Sequence, residues 1–332
     1  MLKTRFTELV GIEYPIMCGG MFQVGRAELC AAVSEAGGLG TITSATQGDP
    51  ENLRQEIRKV KELTDKPFAV NLSLFPSSRP LPNEEYIDVL IEEGVKIVET
   101  SGRSPKDLMQ KLKSGGIIVI HKVANAKNAI SAENAGVDAV SVVGFETGGH
   151  PGMNDIGSIV LTKLVTDAVS VPVLGGGGFS TGQSLVAAMA LGAEGVVMGT
   201  RFMAVKESIL HQNVKNWMIN ASEAETAIVQ KSIGSGSRVA LNEVAKEVLK
   251  LEERGTTFEE LLPLITGKRA PKVYFDGEIN AGIWSCGQVV GLINDVPTTK
   301  ELIDRIVQEA VDSRNFINHA FETKHEASVS ER

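Results

Sequence analysis

The segment GFETGGHPG (144–152) places His150 between glycines and a proline. Imidazole titrates near neutrality, so a histidine held in such a loop at a catalytic face suits general acid–base work. His211, His319 and His325 have no comparable setting. No second His or carboxylate lies at ligand spacing from His150, so no metal site is expected. Further along come GGGGF (175–179) and MGTRF (198–202). Glycine lets a backbone approach a ligand closely, and unhindered N–H groups can face an anion. Gly176, Gly177, Gly178, Gly199 and the Thr200 hydroxyl therefore read as a phosphate cradle, with a pair of tight turns as the plain alternative. Near the start, Cys18–Gly19–Gly20–Met21 offers a strip without bulky side chains, on which a flat ring could lie or which packing alone could require.

Asn71 and Lys122 end two apolar runs, and polar groups there need partners. Lys122 could sit beside the N1–C2=O edge of a flavin and stabilise the charge of the reduced ring, or it could pair with a nearby carboxylate. His121 should point the opposite way, because strand side chains alternate, and so reads as structural.

These residues must be positioned by a repeating frame. Apolar, β-rich runs occur at 14–18, 39–44, 68–75, 96–100, 117–123, 139–145, 171–174 and 195–200. Stretches of helical period lie between them, at 51–63, 84–93, 124–135 and 182–191 for example. Each unit takes about 25 residues, as a strand with its covering helix should. The phrases EAGGLG, EEGVKI, KSGGII, NAGVDA and ALGAEG recur before strands, each with a glycine where a helix should end. Eight such units predict an α/β fold, a (β/α)8 TIM barrel, over a doubly wound open sheet. The catalytic face of a barrel is the C-terminal end of its strands, where all the candidate residues fall.

The pattern changes after Phe202. Segments 211–220, 221–230, 239–253 and 258–265 read as short helices, giving a small helical insertion or cap domain over 206–272. The barrel then comprises 1–205 plus 273–323, with FDGEINAGIWSCGQVVGLI (275–293) returning to it and a helix over about 298–320 closing it. The polar end, 324–332, reads as a flexible tail.

Composition narrows the function classes. The chain has 332 residues and a net charge of -8 without a basic block, which argues against nucleic acid as a partner. No apolar run is long enough for a membrane span, and no apolar h-region follows the first charges, so a cytoplasmic protein is expected. The three cysteines, Cys18, Cys30 and Cys286, show no zinc or disulfide spacing. No Cys occurs between residues 31 and 285, which excludes the nucleophilic loop cysteine of IMP dehydrogenase-like chemistry. A flavin- or phosphate-binding protein without turnover stays open, as does a homodimer.

MCGGM (17–21), EAGGLG (35–40), FAVNLSL (68–74), GFETGGHPG, GGGGF and MGTRF together resemble the nitronate monooxygenase family, formerly called 2-nitropropane dioxygenases. The likeness runs from TRFTELVGIEYPI to IWSCGQVVGLI (283–293). It implies an FMN-dependent oxidoreductase acting on a small molecule. Phosphate would rest on Gly176, Gly177, Gly178, Gly199 and Thr200, with Met198 and Gly149 also at the cofactor. The ring would lie near Gly19, Gly20, Met21, Asn71 and Lys122. His150 matches the family's catalytic histidine. Ser285 would face the substrate, with Trp284 beside it and Met21 also lining the pocket. Oxidative denitrification of alkyl nitronates with O2 is the activity expected first. GHPGMND (149–155) looks like the NADH:quinone reductase branch, so NADH or NADPH could be a co-substrate. Flavin-dependent enoyl-ACP reductases are a further relative. Two positions depart from the family: Cys18 stands where Gln is frequent, and Gly176 where Ser or Ala is common.

Overall fold

The computed structural model describes residues 2–75 and 81–329, with side chains through residue 322. Eight strands form one parallel sheet: β1 Ile16–Cys18, β2 Gly40–Thr43, β3 Phe68–Leu74, β4 Ile97–Gly102, β5 Ile118–Val123, β6 Ala139–Val143, β7 Val173–Gly176 and β8 Gly195–Met198. From β2 to β8 each strand pairs with its sequence neighbour, and β1 pairs with β8. The remaining seam, between β1 and β2, is joined by a parallel bridge from Met17 to Leu39. The Cys18 amide donates to the Leu39 carbonyl at 2.9 Å and the Leu39 amide to that of Ile16 at 2.9 Å. The result is the (β/α)8 barrel that the eight runs predict.

Each of the eight runs supplies one strand, because near-continuous apolar sequence suits a parallel strand buried on both faces. The repeated glycine phrases end helices as expected: φ is +65° at Gly94 and +95° at Gly192, a left-handed conformation that residues with a Cβ rarely adopt.

Alternation along the strands divides the interior into tiers. Met17, Leu39, Ala69, Ile97, Ile120, Ala139, Leu174 and Val197 fill the lower barrel, sealed by Phe6 and Val10 of the N-terminal helix Arg5–Val10. Two residues further along each strand the inward side chains change character, to Thr41, Asn71, Glu99, Lys122, Ser141 and the glycines 19, 176 and 199.

Segment 206–272 departs from the purely helical expectation. Helices Gln212–Asn220, Glu243–Glu253 and Phe258–Ile265 are present. Between the first two lies an antiparallel hairpin, β9 Thr226–Val229 with β10 Ser237–Ala240. Residues 221–230 therefore do not form a helix, and the helix expected from 239 begins at Glu243. Alternation over these short runs is too brief to separate periods of 2 and 3.6. Val229, Val239, Ala245, Val248 and Leu261 form a small core for this segment. The closing helix spans Thr299–Val329, so much of the expected tail, 324–329, continues it; residues 330–332 lie outside the described residues. Among the described residues no helix is long and apolar enough to cross a membrane. Nor do three or more His, Cys, Asp or Glu gather in a way that could hold a metal ion.

Candidate active site

The centre of the barrel mouth is a carboxylate that the reading of motifs passed over. Glu99 lies on β4, and its side chain is 0% exposed. Its Oε1 pairs with the Lys122 ammonium at 3.0 Å. Its Oε2 accepts from Asn71 Nδ2 at 2.7 Å and from the Gly20 amide at 2.9 Å. Register explains the convergence: Asn71 stands opposite Glu99, and Lys122 opposite Ser101, one inward position further along β4. Lys122 thus has the carboxylate partner of its plainer reading, yet its side chain stays 21% exposed and reaches the mouth. Ser141, opposite Lys122 on β6, has a buried hydroxyl without a protein hydrogen bond.

Gly19 and Gly20 form the adjacent wall. A Cβ at Gly20 would lie 2.5 Å from the Asn71 side chain, and one at Gly19 would lie 2.9 Å from Val197. Only glycine lets this strand end pass so close to its neighbours. At Gly176 a Cβ would meet Val197 at 2.6 Å and the Val142 carbonyl at 2.9 Å. Gly177 has φ +106°. A Cβ at Gly199 would touch only the Met21 side chain, with Sδ at 3.5 Å, so this position borders open space. Two groups of the expected cradle are engaged within the protein. The Gly178 amide donates to Ser158 Oγ at 3.1 Å, and Thr200 Oγ1 accepts from the Gly287 amide at 2.9 Å, keeping its own hydrogen to donate. Glu146 accepts from the amide and hydroxyl of Ser158, at 2.9 and 2.7 Å, and so occupies the start of helix Ser158–Thr166.

His150 stands on the loop after β6, with its ring tilted against Phe75 at a centroid distance of 4.9 Å. It keeps contact with solvent, yet the surrounding protein pushes its pKa below the ordinary histidine value. That direction favours the uncharged imidazole near neutrality. Ser285 is exposed beside this loop: a Cβ on Gly149 would be 3.7 Å from its hydroxyl. Trp284 is not at the mouth; it is 2% exposed, edge-on to Trp217 at 4.9 Å in the outer core. Alternation turns these two neighbours to opposite sides. For the same reason Met198 and Cys18 bury their side chains between barrel and helices, and only their backbones border the mouth. The departure at Cys18 thus concerns the outer core. His121 also faces outward, with Nδ1 2.8 Å from Thr100 Oγ1, and burial lowers its pKa to about 4.

The model of one family, described as nitronate monooxygenase, matches residues 3–309. The chain belongs to the nitronate monooxygenase family. Its members are flavin-dependent oxidoreductases. A (3aS,4S,5R,7aS)-5-hydroxy-7a-methyl-1-oxo-octahydro-1H-indene-4-carboxyl-CoA dehydrogenase of Rhodococcus jostii is 35% identical, across 93% of this chain and 96% of that protein. A probable nitronate monooxygenase of Staphylococcus saprophyticus is 31% identical, across 95% of this chain and 99% of its own. Among solved structures, FabK from Thermotoga maritima superposes with a TM-score of 0.89 at 35% identity, covering 96% of this chain and all of that one. A nitroalkane oxidase from Streptomyces ansochromogenes shares the fold, with a TM-score of 0.80 at 23% identity.

Three residues at or around this mouth were given no role by the motifs: Glu99, Glu146 within GFETGGHPG, and Arg238 on the hairpin packed against that loop. Glu99 had a usable signal, since an acid inside the run KIVET (96–100) must find a buried cation, and HKV (121–123) supplies one. Arg238 had none, because nothing in GSRVA (236–240) points to a loop some 90 residues earlier.

Proposed function

We propose that this chain is an FMN-dependent oxidoreductase of the nitronate monooxygenase type, with His150 as its proton-transfer residue. The observation that carries the reading is an imidazole packed at a tilt against Phe75, beside a mouth lined by glycines whose floor is the Lys122–Glu99–Asn71 cluster. The residues suit FMN. The Gly19–Gly20 strip would lie beside a flat ring, Lys122 would offer it a cation, and the backbone at Gly176, Gly177 and Gly199 would hold the phosphate, with Gly199 bordering open space. The unpaired Ser141 hydroxyl is a further donor in that tier. Bound FMN supplies the electron-transfer chemistry. His150, in its uncharged form, can accept the proton of a carbon acid next to a nitro group or hydrogen-bond the nitronate oxygens. Phe75 holds the imidazole face, and Ser285 offers a hydroxyl on the substrate side.

A second reading rests on the rim. Phe22, Phe75 and Met153 are all large and exposed after β1, β3 and β6. An apolar rim suits a quinone or an acyl chain better than a small nitronate. That reading is an NAD(P)H-driven reductase, and the similarity to FabK and to a CoA-thioester dehydrogenase supports it.

An anaerobic absorbance titration separates the two. Ethyl nitronate should bleach the flavin band near ~450 nm if the first reading holds. Bleaching by NADH or NADPH, with no response to nitronate, would replace it with the second. A purified protein without any flavin band would remove both.

A further inference from the structure

We propose that Arg238, on the hairpin outside the barrel, is a positioning residue that holds the His150 loop in its working geometry. The inference rests on the reading of His150 as the proton-transfer residue. Arg238 grips that loop at two points. Its backbone exchanges two hydrogen bonds with Gly149, the residue before His150: the Gly149 amide donates to the Arg238 carbonyl at 2.9 Å and the Arg238 amide to that of Gly149 at 2.6 Å. Its side chain reaches back to the loop's beginning. Nε donates to the Phe145 carbonyl at 3.0 Å, and the guanidinium lies 4.5 Å from the centroid of the Phe145 ring. Nη1 donates to Thr226 Oγ1 at 3.0 Å, tying the grip to β9.

The loop requires such a grip. His150 and Pro151 lie between Gly149 at φ +82° and Gly152 at φ +88°, two positions with wide conformational freedom. Past them, Lys231 of the hairpin turn pairs with Asp155 at 2.6 Å, a contact exposed to solvent. The hairpin thus holds both flanks of the catalytic loop, and the buried hold is Arg238.

The cost of this residue is the second line of argument. Arg238 is 3% exposed and, among the described residues, has no carboxylate within ion-pair distance and no hydrogen-bond partner for Nη2. Glu146 and Asp155 act on it only at longer range, and burial pushes its pKa down. A buried cation without a close counter-charge is expensive, and an apolar chain of the same volume would be cheaper for stability alone. What the guanidinium adds is direction: a planar fork, aimed at the loop carbonyl and at Thr226, stacked on Phe145.

The test compares Arg238→Ala, Arg238→Lys and His150→Ala with the parent enzyme, using whichever substrate bleaches or reoxidises the flavin. Flavin content is read by absorbance, kcat and KM separately, and the acid limb of the pH profile. Both Arg238 variants should keep full flavin content and lose about tenfold or more in kcat, with KM little changed, since a misplacement of about 1 Å costs up to 10²-fold. The acid limb should move up toward the ordinary histidine pKa, because a released loop loosens the protein packed around the imidazole. Lysine keeps the charge but not the fork, so Arg238→Lys should resemble Arg238→Ala. Full flavin content with parental kcat and pH profile in either variant would overturn the proposal. His150→Ala as active as the parent would remove the His150 reading, and this one with it. An inactive His150→Ala beside a fully active Arg238→Ala would sink the Arg238 proposal alone. If Arg238→Ala does not fold, Arg238→Lys carries the test.

Discussion

Strands β3–β5 and strands β7–β8 line the same mouth by different means. The first group contributes side chains: Asn71, Glu99 and Lys122, joined in one hydrogen-bonded cluster. The second contributes backbone: Gly176, Gly177 and Gly199, where side chains are missing by design of the sequence. A side-chain wall is fixed by register, and any change in it alters stability and electrostatics together. A backbone wall is fixed by the absence of Cβ atoms: at Gly176 and Gly177 a Cβ would strike Val197 and Ser158, whereas at Gly199 it would meet only the Met21 side chain, so a change at Gly199 can abolish binding while the fold survives.

The sharpest way to break this contrast is Gly199→Asp. The new Cβ would meet only the Met21 side chain, with Sδ at 3.5 Å, an ordinary contact, so the protein should fold. A carboxylate roughly 4 Å from a phosphate would cost about 4 kcal/mol, close to a thousandfold in affinity. The expected result is a colourless, normally folded protein; retained stoichiometric flavin would move the phosphate away from β8. Next in size is Glu99→Gln. It leaves the Lys122 cation without its partner and weakens the acceptor for Asn71 and Gly20. A loss of about 3 kcal/mol is expected in urea unfolding, at the lower end for a broken buried pair because Lys122 is a fifth exposed. A stability within error of the parent would show that the cluster is solvated and the two walls alike.

The smallest effect belongs to a residue behind the wall. His121 faces the outer core and its pKa is lowered to about 4, chiefly by burial. The unfolded chain binds that proton near pH 6.5, so between pH 6.5 and 4 the unfolded state holds more protons than the folded one. Stability should therefore fall on acidification across that window, by roughly 2 kcal/mol between pH 7 and 4.5. His121→Gln should flatten this slope in urea titrations at pH 4.5 and 7; an unchanged slope would assign it to other groups.

Much of the backbone wall could be read directly. GGGGF and MGTRF announce a chain that something approaches closely, and His150 stands out because its glycine and proline neighbours are unusual. The side-chain wall was half legible. Asn71 and Lys122 were visible as polar ends of apolar runs, while Glu99 inside KIVET was not connected to them. Trp284 shows the opposite failure: next to Ser285 in sequence, it faces the other way, because a local pattern does not reveal which of two alternating neighbours turns inward.

The amino-acid sequence by itself determined the eight-fold alternation of strand and helix, the glycine turns between them and the face on which chemistry would gather. These follow from period, propensity and the special backbone of glycine, all local properties. Only the tertiary structure decided that Glu99 joins Asn71, Gly20 and Lys122, that residues 226–240 pair as a hairpin, and that Arg238 reaches the loop of His150. Those contacts depend on the stagger of neighbouring strands and on where a distant segment returns, and neither is encoded within any single window of the chain.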